Sequence, residues 1–487
     1  MLNVFLKNHN YKYEVGELLK LFTTQFKFVD DDLNKDKILI NELIIEDNLI
    51  ISNTYIYENN NLKIRLEEKD VMSSLDEKIL KRESKIVIKR SIFKVLKKIY
   101  KSFVPWGILT GIRPTKIVHE LLDENKNKEE IDNILKVKYL MDKSKIDLAY
   151  NIAKVEREFI YPLNENKIAL YVSIPFCPTR CVYCSFPSNT LKQWGHLKSD
   201  YLNALIKEIK GVGALIKKLN KEIESVYIGG GTPTTLDEKE LDILMDSLYQ
   251  NFDLNNIKEF TVEAGRPDTI TKEKLKVLKY AKVSRISINP QTMNESTLIE
   301  IGRSHKVEDI VKCFNMARNL GFDNINMDII LGLLKETPSM VENTLKEISK
   351  LSPESLTVHT MAIKRASKLK ENIQEYEFSQ YMDMVKMIDI SMDYAQRMGL
   401  NPYYMYRQKH MLGNLENIGY SKRGFECIYN IQIMEEKQSI FALGAGAISK
   451  IVYLDENRIE RVPNVKNLEH YIKRVDEMIQ KKEEEVL

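Results

Sequence analysis

From Ile168 to Met361 the chain repeats one pattern six times: a short run rich in valine and isoleucine, then a longer segment whose apolar residues recur three and four apart. The short runs are IALYVSI (168–174), SVYIGG (225–230), EFTVEA (259–264), VSRISIN (283–289), NINMDIILG (324–332) and SLTVHTM (355–361). Between them lie segments such as YLNALIKEIKGVGALIKKL and VEDIVKCFNMARNLGF, whose spacing is that of amphipathic helices. Strands joined through helices run parallel, and right-handed crossovers bend six such units into a barrel or part of one. The expected fold is therefore α/β, a partial (β/α)6 TIM-like barrel whose active site is built by the loops after its strands.

The flanks follow other rules. LNVFLK, KILINELI, LIISNTYIYE and LKIRLEE read as strands around a helix from Glu14 to Phe22, followed by a basic helical stretch over 85–101 with a solvated charged face. This predicts an α+β domain over 1–160, the barrel over 161–370 and a mixed domain over 371–487, the last with a helix near 377–399 and a hairpin in SKIVYLDENRIERVP. A net charge of +3 on 487 residues argues against a general nucleic-acid binder. No apolar run approaches the roughly 20 residues of a membrane span, and Lys7 interrupts any signal-like start. A cytoplasmic location is expected.

Three of five cysteines fall within YVSIPFCPTRCVYCSFPSN, directly after the first predicted barrel strand, as Cys177, Cys181 and Cys184. One reading of the CxxxCxxC spacing is a structural zinc site completed by Cys313, Cys427 or a histidine, since zinc prefers a closed tetrahedral set. The other is a [4Fe–4S] cluster held through three irons, with the fourth iron left to a small chelating molecule. YIGGGTPTTL, at the end of the second strand, offers glycines that let backbone approach a ligand.

The cysteine motif resembles that of the radical S-adenosylmethionine (SAM) superfamily. Together with YIGGGTPT, TVEAGRPD, RISINPQTMN, IGRSH, NMDIILGLLKET and ALGAGA, it is similar in order and separation to the oxygen-independent coproporphyrinogen III oxidase (coproporphyrinogen dehydrogenase) family over about 165–450. WGILTGIRPTKI and YRQKHMLGNLENIGY resemble its N-terminally extended, oxidase-like branch. The resemblance implies a [4Fe–4S] cluster on Cys177, Cys181 and Cys184, and SAM held by Gly230, Gly231, Thr232, Glu263, Gln291, Arg303, Asp328 and Ile330, with Tyr171 as a catalytic-face residue. Three positions depart from the classical oxidase: Phe186 replaces an additional cysteine, Ser173 a histidine, and Leu334 the proline of a GLP turn. In CIYNIQIMEE, Tyr429 stands where the heme-chaperone branch carries a histidine.

The activity implied is reductive cleavage of SAM and oxidative decarboxylation of coproporphyrinogen III propionates to the vinyl groups of protoporphyrinogen IX, in heme and porphyrin biosynthesis. The same resemblance allows a heme-binding chaperone or a radical SAM methyltransferase acting on heme. The implied partners are a porphyrinogen or heme-like small molecule and an external low-potential electron donor. Arg113, Lys116, Arg407 and Lys409 are candidate partners for substrate carboxylates, arginine being suited to bidentate binding. His410 is a candidate proton donor or heme ligand.

Overall fold

The computed structural model describes residues 1–31, 36–100, 102–111, 113–184, 186, 188–361, 381–407 and 415–487. The chain divides into two compact units, Met1–Asn151 and Ile152–Leu487. The division falls inside a helix, Lys143–Ile160, while the expected boundary near 370 lies outside the described residues.

The N-terminal unit is a five-stranded sheet in the order β2-β1-β3-β4-β5. β1 (Leu2–Lys7) runs parallel to β2 (Phe26–Phe28) and β3 (Lys37–Glu46); β4 (Leu49–Glu58) and β5 (Asn61–Val71) continue it antiparallel. The two hairpins turn on Asp47–Asn48 and Asn59–Asn60, all four at positive φ, the conformation that matches the twist of paired strands. The first helix is Lys12–Leu19, one turn shorter at its end than expected. The basic helix begins earlier, at Glu77, where Asp76 accepts hydrogen bonds from the amides of Lys78 and Ile79, and it ends at Tyr100. Its apolar face, including Val87, Ile92 and Phe93, packs with Leu39, Ile50 and Ile56. Its basic face is not wholly solvated: Arg90 is buried, bonded to Glu68 at 2.6 Å and Asp70 at 2.8 Å.

In the second unit all six predicted strands form as parallel neighbours. They are β6 (Lys167–Ile174), β9 (Glu222–Gly230), β10 (Glu259–Gly265), β11 (Arg285–Ile288), β12 (Ile325–Leu331) and β13 (Ser355–Thr360). Two-residue strands β7 (Phe176–Cys177) and β8 (Asn189–Thr190) pair with one another after β6. The intervening helices bury one face each. In Glu238–Asn251 this is Leu241, Leu244, Met245 and Leu248, and the Asp237–Glu240 capping box fixes its start. Each such side chain contributes about 1.5–3 kcal/mol on burial.

Among the described residues the sheet does not close. Its eleven strands run β14-β15-β13-β12-β11-β10-β9-β6-β16-β17-β18. β14 (Asn401–Tyr406) and β15 (Asn417–Ser421) extend one edge antiparallel, and β16 (Ser439–Leu443) lies parallel to β6 on the other. Beyond it is the predicted hairpin, β17 (Ile448–Tyr453) and β18 (Arg458–Pro463). Thus the C-terminal strands serve both edges of the α/β sheet. No helix among the described residues is long and apolar enough to cross a membrane.

Candidate functional site

The cysteine loop is clasped at its base by the β7–β8 pair, Phe176 opposite Asn189 and Cys177 opposite Thr190. Within it the Cys184 amide donates to the Cys181 carbonyl (3.1 Å), and the Val182 amide reaches the Ile301 carbonyl (3.2 Å). Cys177 and Cys181 are buried, Cys184 is partly exposed, and none is in a disulfide. Burial pushes the Cys177 thiol up to about 11, and the nearby Cys184 and Cys181 add to this, while a 3.6 Å bond from Thr232 Oγ1 opposes it. Crowded thiols of this kind ionise readily only when a metal centre takes the charge. The other two cysteines are engaged elsewhere: Cys313 donates to the Pro267 carbonyl (3.6 Å) and Cys427 to Glu259 (3.3 Å).

The glycine-rich end of β9 presses on this loop. A Cβ at Gly231 would stand 2.5 Å from the Phe176 carbonyl oxygen and 3.0 Å from Cys177 Sγ. At Gly230, φ is +109° and a Cβ would meet Ser173 Oγ at 2.9 Å. Only glycine fits either place without moving its neighbours, Ser173 and Ile174 at Gly230 and the cysteine strand at Gly231.

Further along the sheet, on β10 and β12, stand two carboxylates with opposite tendencies. Burial, reinforced by the Asp328 charge, raises Glu263 to about 7, although Tyr227 Oη donates to it at 2.6 Å and Arg285 and His359 also oppose the rise. Asp328 is held below its ordinary value: burial works the other way, but His359, Asn326 and Thr357 outweigh it. Asn326 Nδ2 lies 2.7 Å and His359 Nε2 3.8 Å from its oxygens. Near neutrality Asp328 is therefore an acceptor, and Glu263 can carry a proton.

Gln291 sits beside them in the left-handed region, φ +66°. Its amide donates to the Asp328 carbonyl (2.9 Å) and its carbonyl accepts from the Ile330 amide (3.0 Å), which ties it to β12. Its side-chain Oε1 is buried with no hydrogen-bond partner among the described residues. Arg303 is buried as well; Nη1 donates to the Asn289 carbonyl (2.6 Å) and Nη2 to Tyr183 Oη (3.2 Å), while Nε has no hydrogen-bond partner among the described residues. Burial opposes its charge, but Tyr183 and Cys181 keep it protonated. It is no surface ion pair.

Tyr171 lies in a stack with Tyr429 (centroids 5.9 Å apart) and Tyr227 (6.2 Å), and these two are 4.5 Å from each other. Glu259 fixes the stack from below: Oε2 accepts the Ile428 amide (2.6 Å) and Oε1 the Tyr429 amide (3.4 Å), at the start of the helix Ile428–Glu435. Of the candidate carboxylate partners, Arg407 is buried at the end of β14. Burial lowers it to about 10 and Glu416 works against that. Arg113 and Lys116 lie in the N-terminal unit. Lys409 and His410 are outside the described residues, and Phe186 is exposed.

Sequence reasoning missed Arg266, Tyr183, His359 and Glu259. Arg266 and His359 stood inside quoted motifs, but a basic residue at a strand end is ordinarily solvated, and nothing local indicates otherwise.

The residues 171–348 match the profile of the Radical SAM superfamily. The chain is 42% identical over 374 residues to the oxygen-independent coproporphyrinogen-III oxidase-like protein HemZ of Bacillus subtilis (strain 168), covering 76% of this chain and 75% of that one. It is 31% identical over 305 residues to the heme chaperone HemW of the same organism, covering 62% and 74%. Among solved structures, coproporphyrinogen III oxidase (HemN) from Escherichia coli shares the fold, with a TM-score of 0.54 and 23% identity over 67% of this chain and 73% of that one.

Proposed function

This chain belongs to the oxygen-independent coproporphyrinogen III oxidase-like family of radical SAM proteins, whose superfamily uses a [4Fe–4S] cluster and SAM, and we propose that it converts coproporphyrinogen III propionates to vinyl groups. In this reading Cys177, Cys181 and Cys184 hold the cluster, and the bound cluster supplies the electron for reductive cleavage of SAM. Each propionate then loses one hydrogen atom, CO2 and one further electron, which an external acceptor takes. An external low-potential donor serves the cluster.

The protein's part is binding and orientation. Gly230, Gly231 and Thr232 line SAM's approach to the cysteine loop, and Arg303 and Gln291 meet its charged and polar groups. Asp328, kept ionised, would accept from the ribose hydroxyls of SAM, and Glu263 beside it would be a further contact for the cofactor. Ile330 packs against the bound molecule, and Tyr171 borders the reacting face. The observation that carries this reading is unspent bonding capacity: among the described residues, Gln291 Oε1, tied to β12, and Arg303 Nε, beside Tyr183 of the cysteine loop, are buried with no hydrogen-bond partner. Buried polar atoms of that kind call for a ligand.

The stacked position of Tyr429 favours turnover over carriage of heme, because a phenol packed on Tyr227 and Tyr171 replaces the histidine of the chaperone branch. The test is anaerobic reconstitution followed by incubation with SAM, a reductant and either coproporphyrinogen III or heme. Vinyl product together with 5′-deoxyadenosine is expected. Stoichiometric heme binding without vinyl product, or methylation of heme, would replace the proposal.

A further inference from the structure

Arg266 follows β10 directly and is only 4% exposed. Its backbone is fixed: the amide donates to the Ala264 carbonyl (2.8 Å), and its own carbonyl accepts from the Thr269 amide (3.0 Å) and hydroxyl (2.8 Å). From behind, Cys313 donates to the Pro267 carbonyl. The guanidinium then reaches two ways. Nε and Nη2 fork onto Asp268 at 3.0 and 2.8 Å, the bidentate geometry arginine favours. Nη1 crosses to the cysteine loop, donating to the Thr179 carbonyl (3.1 Å), Thr179 Oγ1 (2.9 Å) and, at 3.9 Å, Cys181 Sγ. Thr179 passes its own proton to the Gly302 carbonyl (3.2 Å), which leaves its Oγ1 to accept, and the two N–H groups of Nη1 are shared among the three acceptors.

An arginine buried this deeply is costly unless its bonds are spent on something specific. Here three of them fall on one loop, and one aims at a thiol. The neighbouring charges are Asp268, which balances the guanidinium, and Arg303, which approaches Cys181 from the loop before the helix Val307–Asn319.

We infer that Arg266 is a positioning residue for the cysteine loop and, through its N–H bond to Cys181, sets the reduction potential of the cluster. The inference rests on the reading of the three cysteines as cluster ligands. Reduction adds negative charge that spreads onto the ligand sulfurs, so a donor aimed at a sulfur stabilises the reduced state more than the oxidised one. Loss of the donor lowers the potential; loss of the counter-charge on Asp268 raises it.

The experiment is an EPR-monitored redox titration of the full-length reconstituted protein without SAM, with iron counted in every sample. Arg266→Gln is expected to keep its iron and to reduce about tenfold less favourably, a shift of about 59 mV for a one-electron couple. Asp268→Asn is expected to move the potential the opposite way, and Arg266→Lys to recover part of the loss. Equal potentials in wild type and Arg266→Gln at full iron would overturn the inference. Should Arg266→Gln fail to assemble, Asp268→Asn decides: a rise supports the inference, and no change or a fall overturns it. Full iron in Cys181→Ala would instead sink the underlying ligand reading.

Discussion

Tyr227 Oη donates a 2.6 Å hydrogen bond to Glu263 Oε1 from one parallel strand to the next. The phenol partly offsets the burial that lifts Glu263 from 4.5 to about 7. A carboxyl raised in the folded state favours folding fully below its unfolded pKa and loses that contribution as pH rises through the folded value. Over the window from about 4.5 to 7 the cofactor-free protein therefore loses roughly 2–3 kcal/mol relative to Glu263→Gln. Thermal unfolding of both proteins at pH 5 and pH 8 checks this: the wild type should fall behind the variant on going to pH 8. Parallel behaviour would refute the shift.

Replacing Cys177, Cys181 or Cys184 by alanine is expected to abolish cluster assembly and SAM cleavage, read as iron and sulfide content and 5′-deoxyadenosine formation. Cys313→Ala should keep the cluster, because its thiol is bonded to the Pro267 carbonyl on an outer helix.

Gly231→Ala places a methyl group 2.5 Å from the Phe176 carbonyl and 3.0 Å from Cys177 Sγ. Backbone must move, at a cost of about 1–3 kcal/mol. SAM affinity should drop by about tenfold or more, by equilibrium dialysis of the reconstituted protein, since 1.4 kcal/mol already corresponds to a factor of ten.

Lys482 and Glu208 form a fully buried ion pair at 2.8 Å. Glu208 also accepts from Tyr471 Oη (2.6 Å), Asn464 Nδ2 (2.8 Å) and the Gly444 amide (2.8 Å). Tyr201 continues the path, taking the Ala445 amide and donating to the Ser173 carbonyl, one residue before the end of β6. Lys482→Met leaves an uncompensated buried charge and should destabilise the protein by about 3–5 kcal/mol. The double variant Lys482→Met/Glu208→Gln should regain much of the lost melting temperature. No regain would mean that packing, not charge, holds the C-terminal helix.

The six parallel strands were legible because each is a short β-branched run between long amphipathic segments. The hairpin at 448–463 was legible through its turn. What escaped was pairing at long range: β16 joins β6, Ala442 opposite Tyr171, across more than half of the chain, and no local pattern encodes it. The cysteine loop and glycine turn announced themselves by composition, whereas the left-handed Gln291, the Glu259 cap beneath Tyr429 and the inward arginines 90 and 266 depend on tertiary partners. The ends of Lys12–Leu19 and Glu77–Tyr100 differed from expectation because helix termini follow caps and packing more than periodicity.

The β7–β8 clasp has a consequence for metal choice. Tying Phe176 to Asn189 and Cys177 to Thr190 closes the base of the cysteine loop by backbone pairing, so less chain has to be ordered when a metal centre binds. The three cysteine sulfurs do not all lie within 4.8 Å of one another, as the ligands of a single ion would, so the clasped loop suits a cluster that spans them better than a lone zinc or copper ion.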